Sequence, residues 1–168
     1  MTIIPVNIKL LSKQAVIPTY AHMGDSGFDI RAIKDAFIAP GVRAKIPTGL
    51  AFEIPYGYEL QIRPRSGITS KTGLRVQLGT IDAGYRGEVS VLIDNIDVPK
   101  ESGVQRNIRG ELDTIMQQKF HRDGYIIREG DRIAQAVLVP VYHAEFSVVE
   151  EFAVLTMRGS NGFGSTGV

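Results

Sequence analysis

Apolar residues recur at every second position in one short run after another of this chain, and that spacing suits strands. Val6, Ile8 and Leu10 alternate with Asn7 and Lys9, and Leu50, Phe52 and Ile54 with Ala51 and Glu53. Tyr58, Leu60 and Ile62 alternate with Glu59, Gln61 and Arg63, and Val89, Val91 and Ile93 with Ser90, Leu92 and Asp94. A period of two sends one set of side chains to a buried face and the other toward water. The runs stop at turn formers, as at Pro40-Gly41, Pro47, Pro55-Tyr56-Gly57, Gly73 and Asp94-Asn95. Ile126-Ile127, Ile133 to Val141 and Phe146 to Val149 extend the pattern. Many short strands with turn signals at this spacing predict an all-β sandwich or barrel.

One segment departs from that period. Between Asn95 and Gly130 charges of both signs gather around Gly103 and Gly110, and Leu112, Ile115, Met116 and Phe120 share one helical face. A short helix is therefore expected around 111–120. A helix of about ten residues is marginal alone and must pack on something. Its own domain is the ordinary choice, and a surface for another protein is the alternative. The segment's charges balance: Lys100, Arg106, Arg109, Lys119 and Arg122 stand against Asp97, Glu101, Glu111, Asp113 and Asp123. With a whole-chain net charge of +1, that argues against a nucleic-acid partner.

A length of 168 residues with a 43% hydrophobic fraction fits one domain with a substantial core. The absence of cysteine excludes disulfides and thiolate metal sites and fits a reducing compartment. No run approaches the ~20 apolar residues of a membrane span. The first residues, MTIIPVNIKL, lack an apolar signal core and contain Pro5. The expectation is a cytoplasmic, single-domain protein.

Four clusters carry chemistry. In Gly24-Asp25-Ser26-Gly27-Phe28-Asp29-Ile30-Arg31, two carboxylates in a glycine-flanked turn can bind a metal, orient its waters, or only cap the turn. In Arg63-Pro64-Arg65-Ser66-Gly67, Pro64 ends a strand, and the next turn projects a guanidinium fork and a hydroxyl suited to phosphate oxygens. An exposed turn without function explains that cluster equally well. In Gly79-Thr80-Ile81-Asp82-Ala83-Gly84-Tyr85-Arg86-Gly87, glycines permit close approach of backbone to a ligand, and a carboxylate can act as general base on a water. A simple β-turn accounts for those glycines but not for Asp82, Tyr85 and Arg86 together. The last stretch, 158–168, combines Arg158, four glycines, hydroxyls and Phe163. These can wrap a phosphate chain and cover a base, though by itself such a stretch reads as a frayed terminus. His22, His121 and His143 have no zinc-ligand spacing, and no histidine accompanies Ser66 to make it a nucleophile.

Taken in order, GDSGFDIRA, PRSG, GTIDAGYRG, GDRIAQ and RGSNGFGSTG resemble the five motifs of the homotrimeric dUTPase family, across nearly the whole chain outside 96–124. The resemblance implies a jelly-roll β domain over 1–157, interrupted by an insert at about 96–124, and a flexible arm at 158–168 that closes over the site. It implies hydrolysis of dUTP to dUMP and pyrophosphate, which limits uracil in DNA and supplies dUMP for dTMP synthesis. It also implies a homotrimer with shared sites and Mg2+ held mainly by the triphosphate. Asp82 would be the base, Asp29 would orient waters on the metal, and Arg65 would neutralise charge. Ser66, Gly67 and Gln135 would hold phosphates, and Ser90 is a further substrate contact. Backbone at Val76, Gly79, Thr80 and Ile81 would read uracil, with Tyr85 beneath the deoxyribose. From the arm, Arg158 would meet the γ-phosphate, Phe163 would stack on the base, and Gly164, Ser165 and Thr166 would wrap the phosphates.

Some relatives carry an amide where this chain has Val76. The insert resembles those of dUTPases from temperate phages of Gram-positive bacteria, some of which bind repressors. A dCTP deaminase of the same fold, and a nucleotide-responsive regulator acting through the insert, are the competing readings.

Overall fold

A computed structural model describes residues 2–99, 103–113, 123–154 and 156–160. The strands are β1 (Asn7–Leu10), β2 (Phe28–Arg31), β3 (Ala36–Ile38), β4 (Arg43–Glu53), β5 (Tyr58–Arg63), β6 (Leu74–Val76), β7 (Gly79–Ile81), β8 (Val89–Asn95), β9 (Gln105–Asn107), β10 (Gly124–Ile127) and β11 (Arg132–Pro140). One helix, α1 (Ser66–Lys71), lies between β5 and β6. The strands form three sheets in the orders β1-β4-β8-β6, β3-β10-β9 and β2-β11-β5-β7. The fold is nearly all-β, as the alternation predicts, and jelly-roll-like, as the resemblance implies.

The period of two maps onto burial. In β8, Val89, Val91 and Ile93 are at most 1% exposed, while Leu92 between them is 40% exposed. Across the other large sheet, Leu60 and Ile62 of β5 lie opposite Leu138 and Ala136 of β11, and Ala134 lies opposite Ile30 of β2. These side chains join one continuous core. Burying each large aliphatic group stabilises the fold by about 1.5–3 kcal/mol. The same parity puts Asp29, Gln135 and Arg63, which are register partners across three neighbouring strands, on the opposite face.

Three local expectations change. The stretch after Pro64, read as a turn, winds instead into α1. The helix is pinned by buried Ile68 and closed by the Thr72 hydroxyl, which donates to the Ile68 carbonyl at 2.7 Å. The helix expected around 111–120 does not start where the periodicity places it: Leu112 makes an antiparallel bridge to Arg106, and 114–120 lie outside the described residues. The base of the insert is instead part of the fold. β9 runs parallel to β10, Gln105 is fully buried, and buried Asp113 accepts two hydrogen bonds from Arg128 Nη2 at 2.8 and 2.9 Å.

Finally, Phe146 to Val149 joins no ladder among the described residues. Phe146 is 92% exposed and Val148 fully so, and the alternation there has no partner strand after β11 ends at Pro140.

Candidate functional site

The outward row of Asp29, Gln135 and Arg63 floors a cavity of about 510 Å3, and the start of α1 forms its rim with Arg65, Ser66 and Gly67. Asp29 is held by two arginines: Arg65 Nε donates to its Oδ1 at 2.7 Å and Arg132 Nη1 to its Oδ2 at 3.2 Å. Gln135 Nε2 donates to the Pro64 carbonyl at 2.9 Å, tying β11 to the entrance of α1. A Cβ on Gly27 would sit 3.1 Å from both the Ala136 carbonyl and Gln135 Oε1, so a side chain there would press the first motif tightly against β11. The first N–H groups of a helix have no intrahelical acceptor. With the Ser66 hydroxyl and the arginines, they leave this cavity rich in donors and net positive, the chemistry that recognises oxyanions.

The cavity thus brings together Asp29, Arg65, Ser66, Gly67 and Gln135, and adds Arg132 and Asp25. Arg132 stands three residues before Gln135 in GDRIAQ, so the sequence carried its signal, but nothing local showed that it pairs with Asp29.

The second group of expected residues sits elsewhere. Gly79, Thr80 and Ile81 form β7, paired with Ile62, Gln61 and Leu60. Beyond them Asp82 is exposed, and its carbonyl accepts the Tyr85 N–H at 3.0 Å to close the turn. Tyr85 donates its hydroxyl to the Glu88 carbonyl at 3.1 Å, and its ring lies over Gly87, where a Cβ would collide with it. Val76 is buried, and Ser90, half-buried in β8, lies opposite Pro47.

No residue of 76–90 lines the cationic cavity. β7 starts beside Ile62, next to Arg63 in β5, and runs away from it, which carries Asp82 toward the other end of the sheet. Arg158 is exposed in a turn, and Phe163, Gly164, Ser165 and Thr166 lie outside the described residues. Within one chain, then, the donor-rich cavity and the carboxylate hairpin are separate constructions.

Next to the cavity wall, burial pushes the Asp131 carboxyl above the usual carboxylate range, against the pull of Arg109 and Arg128. On the far sheet, the Arg43 guanidinium, 2.6 Å from Asp94, holds that carboxyl below its ordinary value.

A jelly-roll-like domain with two arginines, a helix start and an amide converging on one cavity belongs to the class of proteins that bind phosphate esters. The particular family follows from comparison with known proteins. The dUTPase family model matches residues 13–101 and 96–167, and the two matched segments meet at the start of the insert. The deoxyuridine 5'-triphosphate nucleotidohydrolase of Nautilia profundicola is 43% identical over 164 residues, 96% of this chain and 98% of that protein. Its counterpart from Picosynechococcus is 45% identical over 159 residues, 94% of each. Among solved structures, the dUTPase of Staphylococcus bacteriophage 80alpha with dUpNHpp superposes with a TM-score of 0.88 at 38% identity, covering 98% of this chain and 99% of that one. The dUTPase of phage phi11 of S. aureus, whose structure visualises a species-specific insert, gives 0.83 at 35% identity over 90% of this chain and 99% of that one. The chain belongs to the dUTPase family.

Proposed function

We infer that this chain hydrolyses dUTP to dUMP and pyrophosphate by attack of water on the α-phosphorus. The observation that carries this reading is the cavity in which Arg65 and Arg132 converge on Asp29 beside Ser66, Gly67 and Gln135. Phosphoryl transfer to water needs charge neutralisation and in-line positioning more than covalent chemistry, and these donors supply both. Asp82 is the base that orients and deprotonates the water, being an exposed carboxylate fixed by the turn to Tyr85. The Tyr85 ring, braced by Glu88, lies under the deoxyribose and leaves no room for a 2′-hydroxyl. Backbone at Val76 and Gly79 to Ile81 reads the uracil edge, and Ser90 adds a further contact.

Because the cavity and the hairpin are apart in one chain, catalysis brings Asp82 of one copy to the cavity of another, in a homotrimer. The exposed apolar segment supports such association: Phe146, Phe152 and Val154 are 92%, 85% and 75% exposed. Surfaces of that kind mark interfaces.

Among the described residues no three His, Cys, Asp or Glu side chains gather into a metal cage. Magnesium characteristically keeps waters and takes one or two carboxylates together with substrate phosphates, so the residues present fit it. Asp29, and Asp25 beside it, would meet the ion's waters, and the ion would supply charge neutralisation on the triphosphate. The arm at 158–168 then closes, with Arg158 on the γ-phosphate, Phe163 on the base and Gly164, Ser165 and Thr166 around the phosphates.

A pyrophosphate-release assay on dUTP, dCTP, dTTP and UTP is the test. Turnover of dUTP alone is expected, release of ammonia from dCTP would replace the reading with a deaminase, and equal rates on dUTP and UTP would remove the role of Tyr85.

The insert favours a second, compatible role, docking of a repressor-type protein partner. Its likeness to the insert-bearing phage dUTPases supports that role, and the 80alpha protein is described as controlling transfer of virulence genes. Binding of such a repressor with and without dUTP would test it.

A further inference from the structure

A second cavity of about 420 Å3 lies on the far side of Arg65, Gly67 and Arg132, which wall both it and the candidate reaction cavity. Its remaining polar lining is Arg31, Lys71, Arg109 and Asp131. Five basic side chains therefore face the carboxylate of Asp131 and, through the shared wall, that of Asp29. Asp29 is already engaged by Arg65 and Arg132, and Asp131 Oδ2 accepts the Arg128 N–H at 2.8 Å. Among the described residues neither Lys71 nor Arg109 has a carboxylate within ion-pair distance.

The concentration of charge is built rather than scattered. Arg31 Nη1 is fixed by the Gly130 carbonyl at 2.6 Å. The turn that carries Arg109 is closed by the Gly110 N–H to the Asn107 carbonyl and by the Arg109 N–H to Asn107 Oδ1, both at 2.9 Å. Gly110 has φ +79°, and a Cβ there would lie 2.5 Å from the Lys71 carbonyl, so the turn is seated directly against the end of α1. The insert thereby delivers a guanidinium to the back of the helix whose front faces the reaction cavity. Unpaired cations held close together in a concavity attract a compact polyanion.

We propose that this cavity is an anion subsite for inorganic pyrophosphate, with Lys71 and Arg109 as the ligands that the reaction cavity does not use. The assignment deepens the dUTP diphosphatase reading, since pyrophosphate is the product released across the shared wall. The same anion can also arrive from solution, and the two sources are separable.

Calorimetric titration of nucleotide-free, full-length protein with pyrophosphate reads the solution route and needs no turnover, so it stands even if dUTP is not hydrolysed. Lys71 and Arg109 are both exposed, and their replacement leaves the core intact. Lys71→Ala with Arg109→Ala is expected to weaken pyrophosphate binding at least about tenfold, with Arg109→Lys retaining most of the affinity. In steady-state assays the double variant keeps kcat and KM for dUTP within about twofold while inhibition by added pyrophosphate weakens in step with the calorimetry. Rapid-mixing measurement of product release reads the other route, where the variant should retain pyrophosphate more briefly. Unchanged pyrophosphate affinity in the double variant overturns the proposal. So does a rise in KM for dUTP parallel to the loss of pyrophosphate binding, which would make the two residues part of the triphosphate cleft.

Discussion

Asp29 carries hydrogen bonds from two guanidinium groups, and no other cavity carboxylate is held that way among the described residues. Asp82, by contrast, is exposed and bonded through its backbone alone. The first suits orienting a metal's hydration shell, the second accepting a proton from water. Replacing Asp82 by Asn keeps the size and the turn but removes the base, so kcat should fall by several orders of magnitude while nucleotide affinity stays within a few-fold. Steady-state kinetics beside equilibrium binding of a non-hydrolysable analogue measure both, and a mild loss of kcat would dismiss Asp82 as base.

Asp131 offers a test through pH. Burial raises its carboxyl pKa in the folded state, so the unfolded chain ionises first as pH rises. Stability therefore falls between the ordinary aspartate value, ~3.9, and the raised one, and the cost is fully present above it. Asp131→Asn should raise Tm at pH 7 relative to wild type, with the gain shrinking toward pH ~4. A gain that grows on acidification would contradict the burial argument. Arg132 shows what escaped the sequence at this scale: the residue stood inside a recognised motif, but its partner lies 103 positions away.

At the scale of elements, strands such as β5 and β8 were legible because they have one face in the core and one outside it. β5 and β8 follow their alternation residue by residue. α1 escaped because six residues with a single buried anchor, Ile68, show no period. In the insert only the start of the helical spacing is described, and there Leu112 is committed to a bridge with Arg106. Short parallel pairing such as β9 with β10 depends on partners distant in sequence and leaves no local pattern.

This alters what a deletion should do. Read as an accessory, the stretch 98–122 could be removed without harm. Its removal, however, takes away β9, the buried Gln105 and the Asp113 that neutralises Arg128. Arg128 is one-third exposed and keeps Asp35 at 3.5 Å, so the loss of Asp113 alone costs about 1–3 kcal/mol. Deleting 98–122 should therefore lower Tm by many degrees, whereas a deletion confined to 114–121 retains these groups. Thermal denaturation of the two variants decides it, and equal Tm values would return the whole insert to the status of an appendage.

At the scale of the molecule, the arm and the β domain separate cleanly in what each contributes. Among the described residues the continuous core and the side chains packed against it end at Leu138, so none described after it fills the interior. Beyond Leu138, Tyr142, Phe146, Val148, Phe152 and Val154 present apolar groups outward, the surface that the proposed trimer would cover. The arm at 158–168 is different again, carrying phosphate-binding and stacking groups in a glycine-rich backbone whose ordering costs about 1–2 kcal/mol per residue. Under the proposed function a ligand must offset that cost, which would confine closure to the nucleotide-bound state and couple recognition to chemistry.

Two truncations separate these roles. A chain ending at Met157 should keep its Tm and sediment at three times its own, correspondingly smaller, chain mass, while dUTP turnover collapses. A chain ending at Pro140 should fold yet lose the trimer, and with it the meeting of Asp82 and the cationic cavity. Analytical ultracentrifugation with a pyrophosphate-release assay reads both. Full activity without the arm would make it dispensable, and a trimer that survives loss of 141–168 would place the subunit contact on the strands of the β domain.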